Sequence, residues 1–228
     1  MSAKKKSKKA KLTSLELRVL SSFLIVPIFI VSIYFGGFIF FLLVSALLFL
    51  SFDEWSKMAD KSKNKTKDCL WGSAYLTVGL ATLFLMRFLH IDGLPLTLAH
   101  IGMIWACDTG AYFAGKTIGG KKLCPSISPG KTWAGLIGGI TASIIIACLA
   151  HNVLGLYNSV GVTILIGALV AVSGQIGDLV ISKYKRHVNV KDTGTIIPGH
   201  GGVLDRIDSL LLASPIYLVA ISYLHEMA

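Results

Sequence analysis

Two stretches of this chain hold the residues whose types and spacing could do chemistry. The first, residues 173–209, reads SGQIGDLVISKYKRHVNVKDTGTIIPGHGGVLDRIDS. Apolar residues run up to Asp178. Then Lys183, Lys185, Arg186, Lys191 and Arg206 crowd with Asp192, Asp205 and Asp208 around a Gly-rich turn, Gly199-His200-Gly201-Gly202. Carboxylates that repel one another call for a cation, and oxygen ligands in the company of phosphates favour Mg2+. The Gly-rich turn precedes a helix start, where free N–H groups and the helix dipole offer a seat for phosphate. The basic side chains can clamp further phosphate oxygens. The chemistry implied is the handling of phosphoryl groups with a divalent cation at a bilayer surface.

The second stretch, residues 105–135, reads WACDTGAYFAGKTIGGKKLCPSISPGKTWAG. Asp108 falls in an apolar helix, where a carboxylate is costly unless it faces a partner or water. Tyr112 lies one turn later on the same face. The following loop offers glycines for close backbone approach to phosphate and lysines for charge. Its candidate substrate-binding residues are Ser126, Ser128, Lys131 and Thr132. Gly130-Lys131-Thr132 matches the end of a P-loop, but Pro125 stands where that motif needs glycine and no buried strand precedes it. A Walker site is excluded on those grounds.

The acids converge by topology. Asp108 and Asp178 end apolar spans, and Asp205 and Asp208 begin the last one on the same side, so four acids from three helices reach one depth. Asp178 and Asp205 are the predicted metal ligands. Asp208 would orient ligands or basic side chains, and Asp178, Asp205, Asp208, Lys185, Arg186 and Arg206 form the predicted catalytic set. Any one acid at a helix end is more simply a cap or a surface pair. The clustering, taken together with the family resemblance described next, reverses that choice for Asp178, Asp205 and Asp208, and leaves Asp192 open between the two readings.

The first stretch resembles the signature of the phosphatidate cytidylyltransferases (CDP-diacylglycerol synthases). Ser182, Lys185-Arg186, Lys191-Asp192, Gly194, Pro198, His200-Gly201-Gly202, Asp205-Arg206 and Asp208 follow that family's order and spacing. The Asp108/Tyr112, Ser126/Ser128-Pro129 and Lys131-Thr132 elements are similar to its second, looser motif, while the amino-terminal third contributes little. The resemblance implies that CTP and phosphatidate are converted to CDP-diacylglycerol and pyrophosphate. It also implies substrate contacts from Ser182, Lys191, Asp192, His200, Gly201 and Gly202, a homodimer, and a second, monovalent cation such as K+. The competing readings are a CTP-dependent lipid kinase, which would release CDP, and an ion-coupled secondary transporter. Against the transporter, no inverted repeat is visible and the acids gather at one surface instead of the midplane.

The elements that must position these residues are membrane spans. Of 228 residues, 54% are hydrophobic and 15% charged, with a mean hydropathy of +0.69, whereas a soluble domain carries about 25% charged residues. Apolar runs near the ~20 residues that cross a bilayer recur at roughly 18–36, 37–54, 70–89, 94–115, 133–151, 159–181 and 207–225. The fold class predicted is an all-α, polytopic transmembrane bundle of about seven spans. An eighth or re-entrant helix within 94–132 is the alternative. Residues 1–13, with six lysines, read as a disordered basic tail, and 14–228 as one catalytic membrane domain. With a cytoplasmic amino terminus, segments 1–18, 53–69, 115–132 and 182–208 carry 21 of the 22 Lys and Arg, as the positive-inside rule asks. Only Arg87 falls outside. The bacterial inner membrane is the expected location, with membrane lipids as neighbours and the site facing the cytoplasm.

The net charge of +10 therefore belongs to lipid headgroups and phosphorylated substrates, not nucleic acid. The 53–69 segment, with Asp53-Glu54 and five lysines, reads as a solvated connector. Gly135-x-x-x-Gly139 and Ser173-x-x-x-Gly177 read as helix-packing faces. Four scattered cysteines imply no disulfide framework, and the histidines show no ligand spacing.

Overall fold

The computed structural model describes residues 14–89, 91–197, 199 and 201–226. The basic tail, Pro198 and the candidate ligand His200 lie outside them. The described residues form seven helices and one small hairpin: α1 (Ser14–Phe35), α2 (Gly37–Ala59), α3 (Lys65–Leu89), α4 (Gly93–Thr117), β1 (Lys122–Cys124), β2 (Ser128–Thr132), α5 (Trp133–Leu154), α6 (Val160–His187) and α7 (Leu204–Glu226). By length and composition, α2, α3, α5 and α6 are apolar enough to cross a membrane. Large apolar side chains such as Phe23, Phe49, Leu70, Ile137 and Val219 point outward. Lipid is the solvent that accepts such a surface without penalty.

Local signals explain the helix ends. Gly36 alone separates α1 from α2, and both Gly36 and Gly37 have positive φ, which only glycine adopts without strain. Arg87 closes this junction: its Nε donates to Ile33 O at 2.9 Å, satisfying a carbonyl at the end of α1. Thr132 caps α5 by accepting from Gly135 N at 3.0 Å, and Ser159 caps α6 through Val162 N. Gly155 ends α5 in the left-handed conformation.

Helices α4 and α5 pack closest through their small residues. A Cβ on Gly135 would lie 2.9 Å from Ala111 O, and one on Gly139 the same distance from Cys107 O. On the other side, Gly177 of α6 sits against Asp208 O of α7, where a Cβ would approach to 2.7 Å. Both predicted packing faces are thus occupied. Some buried polar groups are paired between elements: Ser143 of α5 donates to Gly167 O of α6 at 2.8 Å, and the hydroxyls of Tyr157 and Tyr217 lie 2.9 Å apart. A buried polar group without such a partner is costly.

One alternative falls away and one expectation changes. Residues 118–132 contain no further helix; β1 and β2 pair antiparallel, with Lys122 opposite Thr132 and Cys124 opposite Ser128. The 53–69 segment is not a solvated connector along its length. Helix α2 continues to Ala59 and α3 starts at Lys65, so only a five-residue turn joins them. Glu54 and Trp55 are buried. Trp55 donates to Asp68 O at 2.8 Å and stacks on Tyr184 of α6 at 4.1 Å between ring centroids.

Candidate active site

Helix α6 brings Asp178, Ser182 and Lys185 to one face by their spacing of four and three residues. Ser182 Oγ donates to Asp178 Oδ1 at 3.0 Å. The other oxygen of Asp178 pairs at 2.6 Å with Lys131, which the hairpin delivers across the gap from the start of α5. Lys131 also donates to Gln175 Oε1 at 2.7 Å, one turn before Asp178. Lys131 is therefore fixed by two α6 side chains, and the 119–132 segment is anchored to the chamber rather than hanging free.

The first turn of α7 supplies the facing wall. Asp205 Oδ1 pairs with Lys185 Nζ at 2.6 Å, with both side chains under a tenth exposed. Asp205 Oδ2 accepts from Thr193 N at 2.9 Å and from Gly202 N at 3.1 Å. Reaching back three residues to Gly202 is the return half of a capping box. Asp208 Oδ1 accepts from Ser209 N at 2.9 Å.

These walls enclose a cavity of about 360 Å3 lined by Asp108, Asp178, Lys185, Asp192, Asp205, Arg206, Asp208 and Ser209. Four of the five predicted catalytic or substrate-binding acids were expected at one depth from three helices, and all five line this space. A second cavity of about 420 Å3 adjoins it, sharing Asp108 and Asp178, and runs between α4, α5 and the hairpin past Tyr112, Lys116, Lys131 and Thr132. Its walls are richer in apolar residues, including Ala111, Leu123 and Leu136. Asp108 opens to solvent here although its helix is apolar, which is the condition that makes an intramembrane carboxylate tolerable.

Other predicted site residues are placed elsewhere. Ser126 and Ser128 belong to the hairpin turn and β2, and line neither cavity. Arg186 faces outward and donates to Ile127 O at 3.3 Å and Val190 O at 3.0 Å. It ties the hairpin turn to the end of α6 and does not reach the acids. Lys183 and Lys191 are exposed and line neither cavity. Thr132 borders the second cavity, but its hydroxyl is spent as the α5 cap. The phosphate seat expected at the Gly-rich turn needs correction most. The N–H of Gly202 is taken by Asp205, and those of Val203 and Leu204 by Glu54, each at 2.9 Å for Glu54. Two carboxylates already fill the helix start that a phosphate would use. Gly202 serves instead to make room, since a Cβ there would lie 2.5 Å from Glu54 Oε2.

Glu54, Thr193 and Gln175 are the residues that sequence reasoning passed over. A signal for Glu54 existed: it is an acid at the end of an apolar span, on the side that carries Asp108 and Asp178.

Among the described residues, no three His, Cys, Asp or Glu side chains form a ready cage. Mg2+ uses one or two carboxylates plus substrate phosphates and water in preference to an all-protein cage. Asp178 and Asp205 each hold an ammonium at 2.6 Å, so both positions bind positive charge. The oxygen-rich set fits the ion.

The described helices form an apolar bundle with an acid-lined, lysine-bearing chamber at one end. The chain belongs to the Cytidylyltransferase family, whose model matches residues 16–91 and 69–224. It is 37% identical over 217 residues to the phosphatidate cytidylyltransferase of Rickettsia bellii, covering 90% of this chain and 89% of that one. Against the enzyme of the same name from Haemophilus influenzae it is 40% identical over 184 residues, 76% of this chain and 63% of the relative. The Bacillus subtilis phosphatidate cytidylyltransferase matches at 42% over 144 residues, 62% of this chain and 54% of the relative.

Proposed function

We propose that this chamber joins CTP to phosphatidate, forming CDP-diacylglycerol and releasing pyrophosphate. One observation carries the reading. Acids from α4, α6 and α7 surround a single chamber together with Lys185 and Arg206, in a chain of the Cytidylyltransferase family. The lipid kinase and transporter alternatives gain no support from the family or the relatives.

A phosphate oxygen of phosphatidate attacks the α-phosphorus of CTP in line, the bond to the β-phosphate breaks, and pyrophosphate carries away the electron pair. The attacking oxygen is already ionised near neutral pH, so no strong general base is required. Lys131, Lys185 and Arg206 supply the positive charge that draws the triphosphate and the lipid phosphate together, an arrangement in which positioning and electrostatics do most of the catalysis. Asp178 and Asp205 would hold Mg2+, with Asp208 and Asp108 beside them. When bound, the ion neutralises charge on the transferred group and on the leaving pyrophosphate. Ser182 orients Asp178 through its hydrogen bond. The apolar-walled cavity between α4 and α5 suits the lipid side of the reaction, and the polar chamber suits the triphosphate.

The same reading includes seven spans with a cytoplasmic amino terminus, supported by the distribution of basic residues. It places the chamber at the cytoplasmic face of a bacterial inner membrane, in a homodimer that also uses a monovalent cation such as K+. The deciding experiment incubates the purified protein with phosphatidate, Mg2+ and labelled CTP. Formation of CDP-diacylglycerol and pyrophosphate in equal amounts is expected. Release of CDP with a phosphorylated lipid would overturn the reading.

A further inference from the structure

We propose that Glu54, an α2 residue outside both chemical stretches, is a positioning residue for cytidylyl transfer. It holds the first turn of α7 and, through Thr193, sets Asp205 and Lys185 at the chamber. The inference rests on the function proposed above.

Glu54 is 1% exposed, and the structure gives its carboxylate three donors. Oε1 accepts from Val203 N at 2.9 Å. Oε2 accepts from Leu204 N at 2.9 Å and from Thr193 Oγ1 at 2.9 Å. The negative charge also meets the positive end of the α7 dipole. Thr193 works in two directions. Its hydroxyl goes to Glu54, and its N–H goes to Asp205 Oδ2. Asp205 in turn holds Lys185 through its other oxygen. A continuous path thus runs from α2 through the turn to the Asp205–Lys185 ion pair in the chamber wall.

A helix start is commonly capped from its own chain a few residues away. Here the cap comes from a residue about 150 positions earlier, so the turn is referenced to the helix bundle and not merely to itself. Glycines make the space. A Cβ at Gly194 would lie 2.6 Å from Glu54 Oε1, and one at Gly202 2.5 Å from Oε2. The neighbouring side chains grip the other half of the site. Trp55 stacks on Tyr184, and Tyr184 donates to Asp68 Oδ2 at 3.1 Å, immediately before Lys185 on α6. The joined ends of α2 and α3 therefore hold both the end of α6 and the start of α7, the two elements whose separation sets the width of the chamber.

The test begins with Glu54→Gln, which keeps the shape. Whichever way the amide turns, its NH2 faces a backbone N–H, so one α7 donor loses its acceptor. In the purified full-length variant, kcat should fall about 10–100-fold, the effect of misplacing reacting groups by about an ångström. The KM for CTP should change little, and helix content should be that of the wild type. Without substrates, amides of residues 193–205 should exchange hydrogen faster. Thr193→Val cuts only the side-chain link and should lower kcat by less. The two effects combined should be less than multiplicative, because they act along one path. A wild-type kcat per folded Glu54→Gln molecule, with only a lower melting temperature, would make Glu54 a structural cap and overturn the proposal. Fully multiplicative losses would overturn the route through Thr193. If Glu54→Gln does not fold, Thr193→Val decides alone: reduced kcat at unchanged stability supports the path, and wild-type kcat ends it. A wild-type protein that makes no CDP-diacylglycerol would defeat the functional reading, whereas unchanged exchange in the variant would defeat the clamp.

Discussion

Asp205→Asn separates chemistry from architecture at this site, and the structure gives its size. Asp205 and Lys185 are 7% and 9% exposed and 2.6 Å apart. Asn keeps one oxygen, which the N–H groups of Thr193 and Gly202 would claim. Its NH2 then points at the Lys185 ammonium, leaving two donors face to face and one buried charge unpaired. Removing one partner of a buried pair costs about 3–5 kcal/mol, which corresponds to a melting temperature lower by roughly 10 °C for a chain of this size. Lys185→Met in the same molecule removes the stranded charge, so the double variant should recover most of the lost stability and none of the turnover. Asp178→Asn offers the contrast. Its pair with Lys131 is 27% and 18% exposed, so its stability cost should stay near ~1 kcal/mol while product formation is lost. Thermal unfolding in detergent, read beside CDP-diacylglycerol formation, makes the comparison. A single Asp205→Asn variant that melts within about 2 °C of wild type would refute the reasoning, since so small a shift is under ~1 kcal/mol.

Other expectations follow from placement. Lys131→Gln should raise the KM for CTP or phosphatidate and lower kcat, because it removes the ammonium that borders both Asp178 and the second cavity; substrate-dependence curves read this directly. Arg186→Gln should stay within a few fold of wild-type activity, since Arg186 faces outward and donates to Ile127 O and Val190 O; a loss as deep as that of Asp178→Asn would return it to the catalytic set. Arg87→Ala should lower the melting temperature by an amount equivalent to about 1.5–3 kcal/mol for a lost charged hydrogen bond and leave kcat unchanged. Single cysteines at Asn64, Ser126 and Asn189 should label from the cytoplasmic side and one at Asn158 from the other; labelling of Asn64 and Asn189 from opposite sides would break the proposed topology.

The helices were legible because long apolar runs mark them, so boundaries fell within a few residues for most of them, and four of them are long and apolar enough to cross a membrane. The convergence of Asp108, Asp178, Asp205 and Asp208 was legible too, since all four were read at the ends of apolar runs, and they line one cavity. What escaped were contacts between residues far apart in the chain. Nothing local distinguishes Glu54 from Asp53: the first is buried against α7 and the second pairs at the surface with Lys57. The hairpin was hidden because three- and five-residue strands carry no periodicity to read. The Gly-rich turn misled for a physical reason. Free N–H groups at a helix start suit a carboxylate as well as a phosphate, and only the tertiary structure reveals that Glu54 and Asp205 had claimed them. Gln175 sat unnoticed inside an apolar run, although it is the second acceptor that fixes Lys131.

The tie between α2 and α7 also has a consequence in time. Glu54 leaves the ribosome about 150 residues ahead of Leu204, roughly 10–30 s at ordinary rates of synthesis. During that interval its carboxylate has neither Thr193 nor the amides of α7, so the early helices must wait with an acid at the water boundary. The first helix pairs can insert, but their charged edge is completed only by the last helix to arrive. A chain cut short before α7 would carry the earlier helices with the Glu54 carboxylate lacking the two amides that answer it in the finished molecule.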